Sequence, residues 1–195
     1  MVANEKALLK AMKKAYTGWG YTITVRKGGR WTIHTPFWGV SFDAMADVPN
    51  KVLSLIVLHM GCFPNWEEAY QIYKGPDGPV LQKKVFSIAD DPFVQMEDAL
   101  VNPDCAAPMI RRTDLTISKL QVWQRPDNLG ILLIDPEYEA LIEDKHLDIS
   151  AVGSALYLEG NLSSVFVRAE TEKRPEVHIA HLEQVRWIAG APLIE

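Results

Sequence analysis

Two histidines separated by two residues stand in the segment EVHIAHLEQVRWIAG, residues 176–190. On a helix, side chains three positions apart share a face, so both imidazoles could reach one metal ion. On a strand, the same odd offset sends them to opposite faces. β-branched residues flank the first histidine and follow a proline, which favours a strand, so His178 and His181 are predicted to diverge. No cysteine or histidine nearby supplies a third ligand, because His146 lies far upstream. We therefore predict no metal site.

Another histidine lies among aromatic residues, in the segment WTIHTPFWG at 31–39. Trp31, Phe37 and Trp38 could stack on a planar ligand while His34 donates a hydrogen bond to it. The alternative interpretation is the aromatic side of a β-hairpin packed on the first helix.

Positive charge gathers at the start of a chain whose net charge is −5. Residues 1–30 contain seven basic residues and one acid, Glu5. A basic surface with neighbouring aromatic rings is typical of proteins that bind a polyanion such as nucleic acid, whereas a solvated helix face is the alternative. The candidate binding surface consists of Lys6, Lys10, Lys13, Arg26, Lys27 and Arg30, with Trp31 and Trp38 as exposed anchors.

Sequence motifs for cofactor chemistry are missing. Neither a GxxxxGK[ST] phosphate-binding loop nor a GxGxxG dinucleotide motif occurs, so no cofactor is predicted. No GxSxG nucleophile motif occurs either. His59 lies three residues from Cys62, but at the end of an apolar helix we interpret it as a core or capping histidine.

The first part of the chain, residues 1–101, is predicted to combine helices with a hairpin. A helix with Asn4 as its N-cap precedes the clearest signal, the alternating strands 21–26 and 30–35 around the turn KGG. A third strand is predicted near 38–44. Two further helices are then predicted, one from 50 to Gly61 and one between Asn65 and Gly75, followed by a strand near 80–89 and a helical patch at 93–101.

The second part, residues 114–190, is predicted to be a small strand-rich domain with one inserted helix, which Asp135 caps. Prolines and aspartates accumulate before it, which indicates a connection at 102–113, and 191–195 form a tail. The predicted strand, turn and strand at 176–190 resemble the last two strands of small SH3-like barrels, an architectural resemblance that implies no function. The predicted fold class is therefore α+β.

Composition indicates the cellular compartment. The two cysteines, Cys62 and Cys105, do not form a CxxC pair, which favours free thiols in a reducing compartment. The longest apolar run, residues 52–58, is far shorter than the roughly 20 residues that cross a bilayer. The start of the chain lacks the pattern of a secretory signal, so we predict a cytoplasmic protein with no membrane partner.

Two functional hypotheses follow. The first is a non-enzymatic interaction or accessory module that binds a protein or a polyanion through the basic N-terminal surface. The second is a small-ligand-binding protein or enzyme with a pocket around His34 and its aromatic neighbours. A flat positive face would favour the first hypothesis, and a deep pocket at His34 would favour the second.

Overall fold

The computed structural model describes residues 2–26, 28–85, 87–101, 106–107, 110–124, 131–143 and 149–170. Within these ranges the chain forms four α-helices and twelve β-strands, which confirms the α+β class. In chain order the elements are α1 (Glu5–Thr17), β1 (Tyr21–Val25), β2 (Trp31–His34), β3 (Trp38–Phe42), α2 (Asn50–Met60), β4 (Glu68–Gly75), β5 (Gly78–Lys84), α3 (Pro92–Val101), β6 (Ala106–Ala107), β7 (Arg111–Ile117), β8 (Leu120–Gln124), β9 (Ile131–Ile134), α4 (Pro136–Glu139), β10 (Ser150–Val152), β11 (Ala155–Glu159) and β12 (Ser163–Arg168).

The predicted N-terminal elements are present. The Asn4 side chain caps α1 by accepting a hydrogen bond from the backbone N–H of Ala7 at 2.9 Å. Leu8, Ala11 and Met12 form the buried stripe of this amphipathic helix. The predicted hairpin forms between β1 and β2, the predicted third strand is β3, and α2 ends at Gly61, which has the left-handed backbone conformation of a helix C-cap.

One large antiparallel sheet organises the molecule. Its order is β5-β4-β1-β2-β3-β12-β11-β10, extended at one edge by the two-residue strand β6. A separate three-stranded sheet has the order β7-β8-β9. The helix α1 packs against α2, α4 and one face of the large sheet, whereas Phe93 of α3 packs against Phe166 on the opposite face. Helices therefore cover both faces of this sheet.

The two faces of the large sheet differ in chemistry. Alternate residues of β1 and its neighbours, such as Ile23, Ile33 and Val40, belong to the main hydrophobic core on the α1 face. On the α3 face, one row across four strands consists of the buried hydroxyl residues Thr24, Thr32, Ser41 and Ser164. The strands alternate as predicted, but their polar side chains point toward α3 rather than toward solvent.

One predicted helix is wrong. The segment between Asn65 and Gly75 forms strand β4, which pairs with both β1 and β5. The predicted strand near 80–89 corresponds to β5, and the helical patch at 93–101 corresponds to α3. The inserted helix begins as predicted, with the Asp135 carboxylate accepting from the Glu137 N–H at 2.8 Å, but it extends only over Pro136–Glu139.

Strands from both predicted parts of the chain share the large sheet. Strand β12, from the predicted second domain, pairs with β3 of the first along five residues. The division at 102–113 stays a prediction, and half of that connection lies outside the described residues, as do 176–190 and the tail. No helix among the described residues is both long and apolar enough to span a lipid bilayer.

Candidate ligand-binding cleft

The two arginines of the predicted basic surface are paired with acids of the α3 region. Arg26 donates from Nε to Asp91 at 2.8 Å, and its Nη2 lies 2.6 Å from the other carboxylate oxygen. Arg30 lies 2.5 Å from Glu97 and also donates to the Ser41 hydroxyl at 2.6 Å. These guanidinium groups lie largely between the sheet and α3, so they do not form an exposed positive face.

The lysines of the predicted surface differ in their environments. Lys10 lies 3.2 Å from a carboxylate oxygen of Glu137, which also binds Lys14. Lys6 and Lys13 are exposed on α1. Lys27 lies outside the described residues.

The two tryptophans predicted as exposed anchors are buried. Trp31 is 4% exposed and Trp38 is 1% exposed, because both side chains point into the core on the α1 face of the sheet. The prediction that they offer exposed rings to a partner is therefore wrong.

His34 lies at the end of β2 on the opposite, α3 face. Register places it in a row of directly paired positions that runs Gln71, Thr22, His34, Gly39 and Phe166 across five strands. Paired positions in an antiparallel sheet carry side chains on the same face. His34 is half-buried. The polar side chains of Thr22 and Gln71 lie on one side of it in this row, and the Phe166 ring lies on the other.

A cleft of about 850 Å³ opens at this point, within the size range of small-molecule sites. Its lining comes from both faces of the sheet, so the cleft curves round the ends of the strands. The residues that line it are Ala11, Lys14, Ala15, Gly18, Trp19, Gly20, Tyr21, Thr22, His34, Thr35, Pro36, Phe37, Trp38, Gln71, Asp90, Pro92, Gln95, Tyr138 and Arg168. The structure therefore brings His34, Phe37 and Trp38 together in one cavity.

The connection from α1 to β1 forms one wall. Gly20 has φ +82°, and a Cβ there would lie 2.7 Å from the Ile72 carbonyl oxygen, so a side chain at this position is excluded. The Gly20 N–H donates to the carbonyl of Ala15 at 2.8 Å, which ties the turn to the helix end. This turn leaves the Trp19 side chain 88% exposed at the mouth of the cleft.

The turn between β2 and β3 forms a second wall. The Thr35 hydroxyl accepts hydrogen bonds from the backbone N–H groups of Phe37 and Trp38 at 3.2 and 3.3 Å. The Phe37 carbonyl accepts from the Arg168 N–H at 2.8 Å, so the tip is fixed to the end of β12. The Phe37 ring lies parallel to that of Tyr138, with centroids 6.4 Å apart.

Burial lowers the pKa of His34, and the nearby positive charge of Arg168 adds to this effect. The Asp91 carboxylate acts in the opposite direction but is weaker. The imidazole is consequently neutral at neutral pH, with one ring N–H donor and one acceptor nitrogen.

Arg168 adds to the wall beside His34 and lies close to the buried Phe166 ring. The guanidinium carbon lies 6.0 Å from the centroid of the Phe166 ring. That ring lies over Gly39, where an added Cβ would overlap it and would lie 3.0 Å from the His34 Cβ. The missing side chain at position 39 thus lets an aromatic ring approach the histidine.

Sequence reasoning missed several cleft residues. Arg168, Tyr138 and Gln95 come from elements that are distant in sequence from His34, and no local pattern connects them. Trp19, between two glycines, was the one local signal, since a tryptophan in a turn has few core neighbours to bury it.

The histidine at the end of α2 belongs to the core, as predicted. His59 is 6% exposed, and its Nδ1 lies 2.8 Å from the Tyr21 hydroxyl. Its ring stacks on Tyr16 with centroids 3.8 Å apart. Cys62 is exposed.

Within the described part of the chain, no group of three or more metal-ligating side chains comes together. His178 and His181 lie outside it, so their predicted divergence stays a prediction. A scan of the chain against protein-family models finds no match, and a search of curated proteins finds no similar sequence.

Proposed function

We propose that this protein binds a small, planar organic molecule in the cleft at His34. The observation that carries the proposal is a cavity of about 850 Å³ in which aromatic rings, a neutral histidine and a few polar side chains converge. Small-molecule sites commonly combine a mostly apolar lining with a small number of polar groups that orient the ligand.

Aromatic side chains at the mouth support a planar ligand. Trp19 and Phe37 are 88% and 49% exposed and present aromatic surface that a flat ring can stack on. Both line the cleft, and a planar molecule between them would cover apolar surface that water now contacts. Gln71 and Gln95 add amide groups to the lining that can pair with polar atoms of the ligand.

The competing hypothesis of a basic interaction surface stays a prediction with less support. Arg26 and Arg30 are paired with acids of the α3 region, and Lys10 shares Glu137 with a second lysine. Paired charges attract a polyanion less than free ones do, because the local field is partly cancelled.

Two aromatic probes, neutral 1-naphthamide and singly charged 1-naphthoate, can test the proposal by two-dimensional amide NMR. We expect saturable binding that shifts the amide signals of Gly18, Gly20, Thr22 and Gln95. The variant Thr22→Trp places an indole in the cleft and should weaken binding of either probe by about tenfold or more.

Thr116→Trp is the matched control, since Thr116 is an exposed strand residue outside the cleft. It should bind the probes like the unmodified protein. If neither probe shifts the amide signals of cleft residues, or if the two variants bind equally well, the cleft is not the ligand site and the proposal is wrong.

A further inference from the structure

Arginines that pack beside α3 have a consistent pattern of counterions. Arg26 and Arg30 have side chains only 13% and 21% exposed, and each has a carboxylate partner within 2.6 Å. A guanidinium removed from water loses hydration, and a nearby carboxylate restores favourable interactions.

Arg168 departs from that pattern. It is half-buried on the same face of the sheet, yet among the described residues no carboxylate lies within 4.0 Å of its guanidinium. Its guanidinium carbon lies 6.0 Å from the centroid of the Phe166 ring. The side chain lines the cleft, where a ligand could supply the carboxylate that the described residues do not.

From this arrangement we infer that the ligand carries a single carboxylate, which Arg168 binds through paired hydrogen bonds while the planar body lies against the aromatic lining. The inference rests on the proposed function, because it names the chemistry of a ligand in the same cleft. His34 lines the same wall, but its ring is hydrogen-bonded to the Thr35 backbone, which leaves Arg168 as the donor to the carboxylate. A planar guanidinium matches the two oxygens of a carboxylate with parallel N–H donors.

The other charged groups of the cleft favour a monoanion over a dianion. Lys14 is held by Glu137, a carboxylate that it shares with Lys10, and this hydrogen bond raises the lysine pKa. Asp90, which lines the cleft on the α3 side, is exposed and adds a negative charge. Arg168 is the lining cation for which the described residues show no carboxylate partner, and a single guanidinium suits a carboxylate better than a phosphate monoester near its second ionisation.

The test compares three probes that share a 1-naphthyl ring: 1-naphthoate, neutral 1-naphthamide and 1-naphthyl phosphate. Binding is measured by calorimetry and mapped by amide NMR. We expect 1-naphthoate to bind about 10- to 100-fold more tightly than 1-naphthamide, and 1-naphthyl phosphate to bind no more tightly than 1-naphthoate.

Arg168→Gln should remove the advantage of 1-naphthoate and leave binding of 1-naphthamide within about twofold. The backbone hydrogen bond from residue 168 to the Phe37 carbonyl survives this change, so the turn keeps its anchor. Arg168→Lys keeps the charge but loses the planar pair of donors, and should be intermediate. Arg111→Gln, at an exposed arginine on β7 outside the cleft, removes the same charge and should change nothing.

The outcomes separate the two proposals. Equal binding of 1-naphthoate and 1-naphthamide in the cleft, with Arg168→Gln unchanged, overturns the carboxylate assignment and leaves the proposed function standing. Tighter binding of 1-naphthyl phosphate overturns the choice of a monoanion. Failure of all three probes to bind the cleft overturns the proposed function and, with it, this inference.

Discussion

His59 is a histidine that the fold holds in its neutral form. Burial lowers its pKa below the ordinary value of 6.5, and the positive charge of Lys13 adds to this effect. Neutral imidazole can accept the hydrogen bond from the Tyr21 hydroxyl at Nδ1, and burial raises the pKa of that tyrosine, which keeps its proton on. The stacked Tyr16 ring leaves little space for water to reach a charged imidazole.

The free energy of unfolding should therefore fall as the pH drops below about 6.5. The unfolded chain takes up a proton on His59 near that pH, whereas the folded chain does so only at a lower pH, so acid favours unfolding. Urea denaturation at about pH 7.5 and 5.5 measures the loss, ahead of the carboxylates that titrate below it. His59→Gln should reduce this loss, and His34→Gln should reduce it further because burial lowers that pKa too. An unchanged pH dependence in the double variant would contradict the prediction.

Among single residues, the sequence identified His34 as a candidate for the site but not the distant residues that lie beside it. Its aromatic neighbours are adjacent in the chain, so a local pattern was enough to suggest a pocket. The register that places Phe166 and Arg168 beside it depends on pairing between β3 and β12, which no short segment encodes. The sequence left two interpretations of Trp31 and Trp38, exposed anchors or a hairpin face packed on the first helix, because alternation along a strand identifies two faces without showing which of them is covered.

Among the elements, α3 is attached to the sheet by charge as well as by apolar contact. Phe93 packs against Phe166 with ring centroids 5.2 Å apart. Beside it, the buried Asp91 carboxylate binds Arg26 through both oxygens and accepts from the Phe93 N–H at 2.9 Å. One side chain thus caps the helix and fixes it to β1, and the start of α3 is also a wall of the cleft.

Asp91→Ala should lower the free energy of unfolding by about 2–4 kcal/mol, because it leaves a largely buried guanidinium without its counterion. It should also weaken binding of 1-naphthoate, since α3 positions Gln95 in the cleft. Urea denaturation measures the first effect and calorimetry the second. Asp98→Ala, at an exposed acid on the same helix, is the control and should change stability by less than about 0.5 kcal/mol. Equal effects of the two variants would show that the Asp91 ion pair does not hold α3.

Helices and hairpins with strong local signals were predictable, but β4 was not. Asn65, Glu67 and Glu68 resemble a helix start, yet this segment fills the space beside β1 and pairs with it over five residues. Tertiary pairing outweighs a weak local preference, because each strand residue gains backbone hydrogen bonds and buried contacts. The turn GPDG at 75–78 was the competing local signal, since it joins two strands in the structure.

For the molecule as a whole, strand β12 joins the two predicted parts of the chain, because it pairs with β3 on one side and β11 on the other. Strand β3 precedes β12 by about 120 residues, so the centre of the sheet forms only when distant parts of the chain meet. The N-terminal segment adds further links, with the Val2 N–H donating to the Ser163 hydroxyl and the Asn4 N–H to the Leu141 carbonyl. The boundary at 102–113 was predicted from prolines and charged residues, and these do not show which strands pair with each other.

A fragment of residues 1–101 tests whether the first predicted domain folds alone. Without β12 it would expose the edge of β3 and lose Val165 and Val167 from the core around Val40, and α3 would lose Phe166. We therefore expect the fragment to aggregate or to give poorly dispersed amide NMR signals, without a cooperative urea transition. The control is the full chain cut at a protease site inserted near residue 104, whose halves should stay associated and unfold together. Cooperative unfolding and native-like signals from the isolated fragment would instead support the independent domain that the sequence predicts, and β12 would then be an addition to a sheet that is already stable.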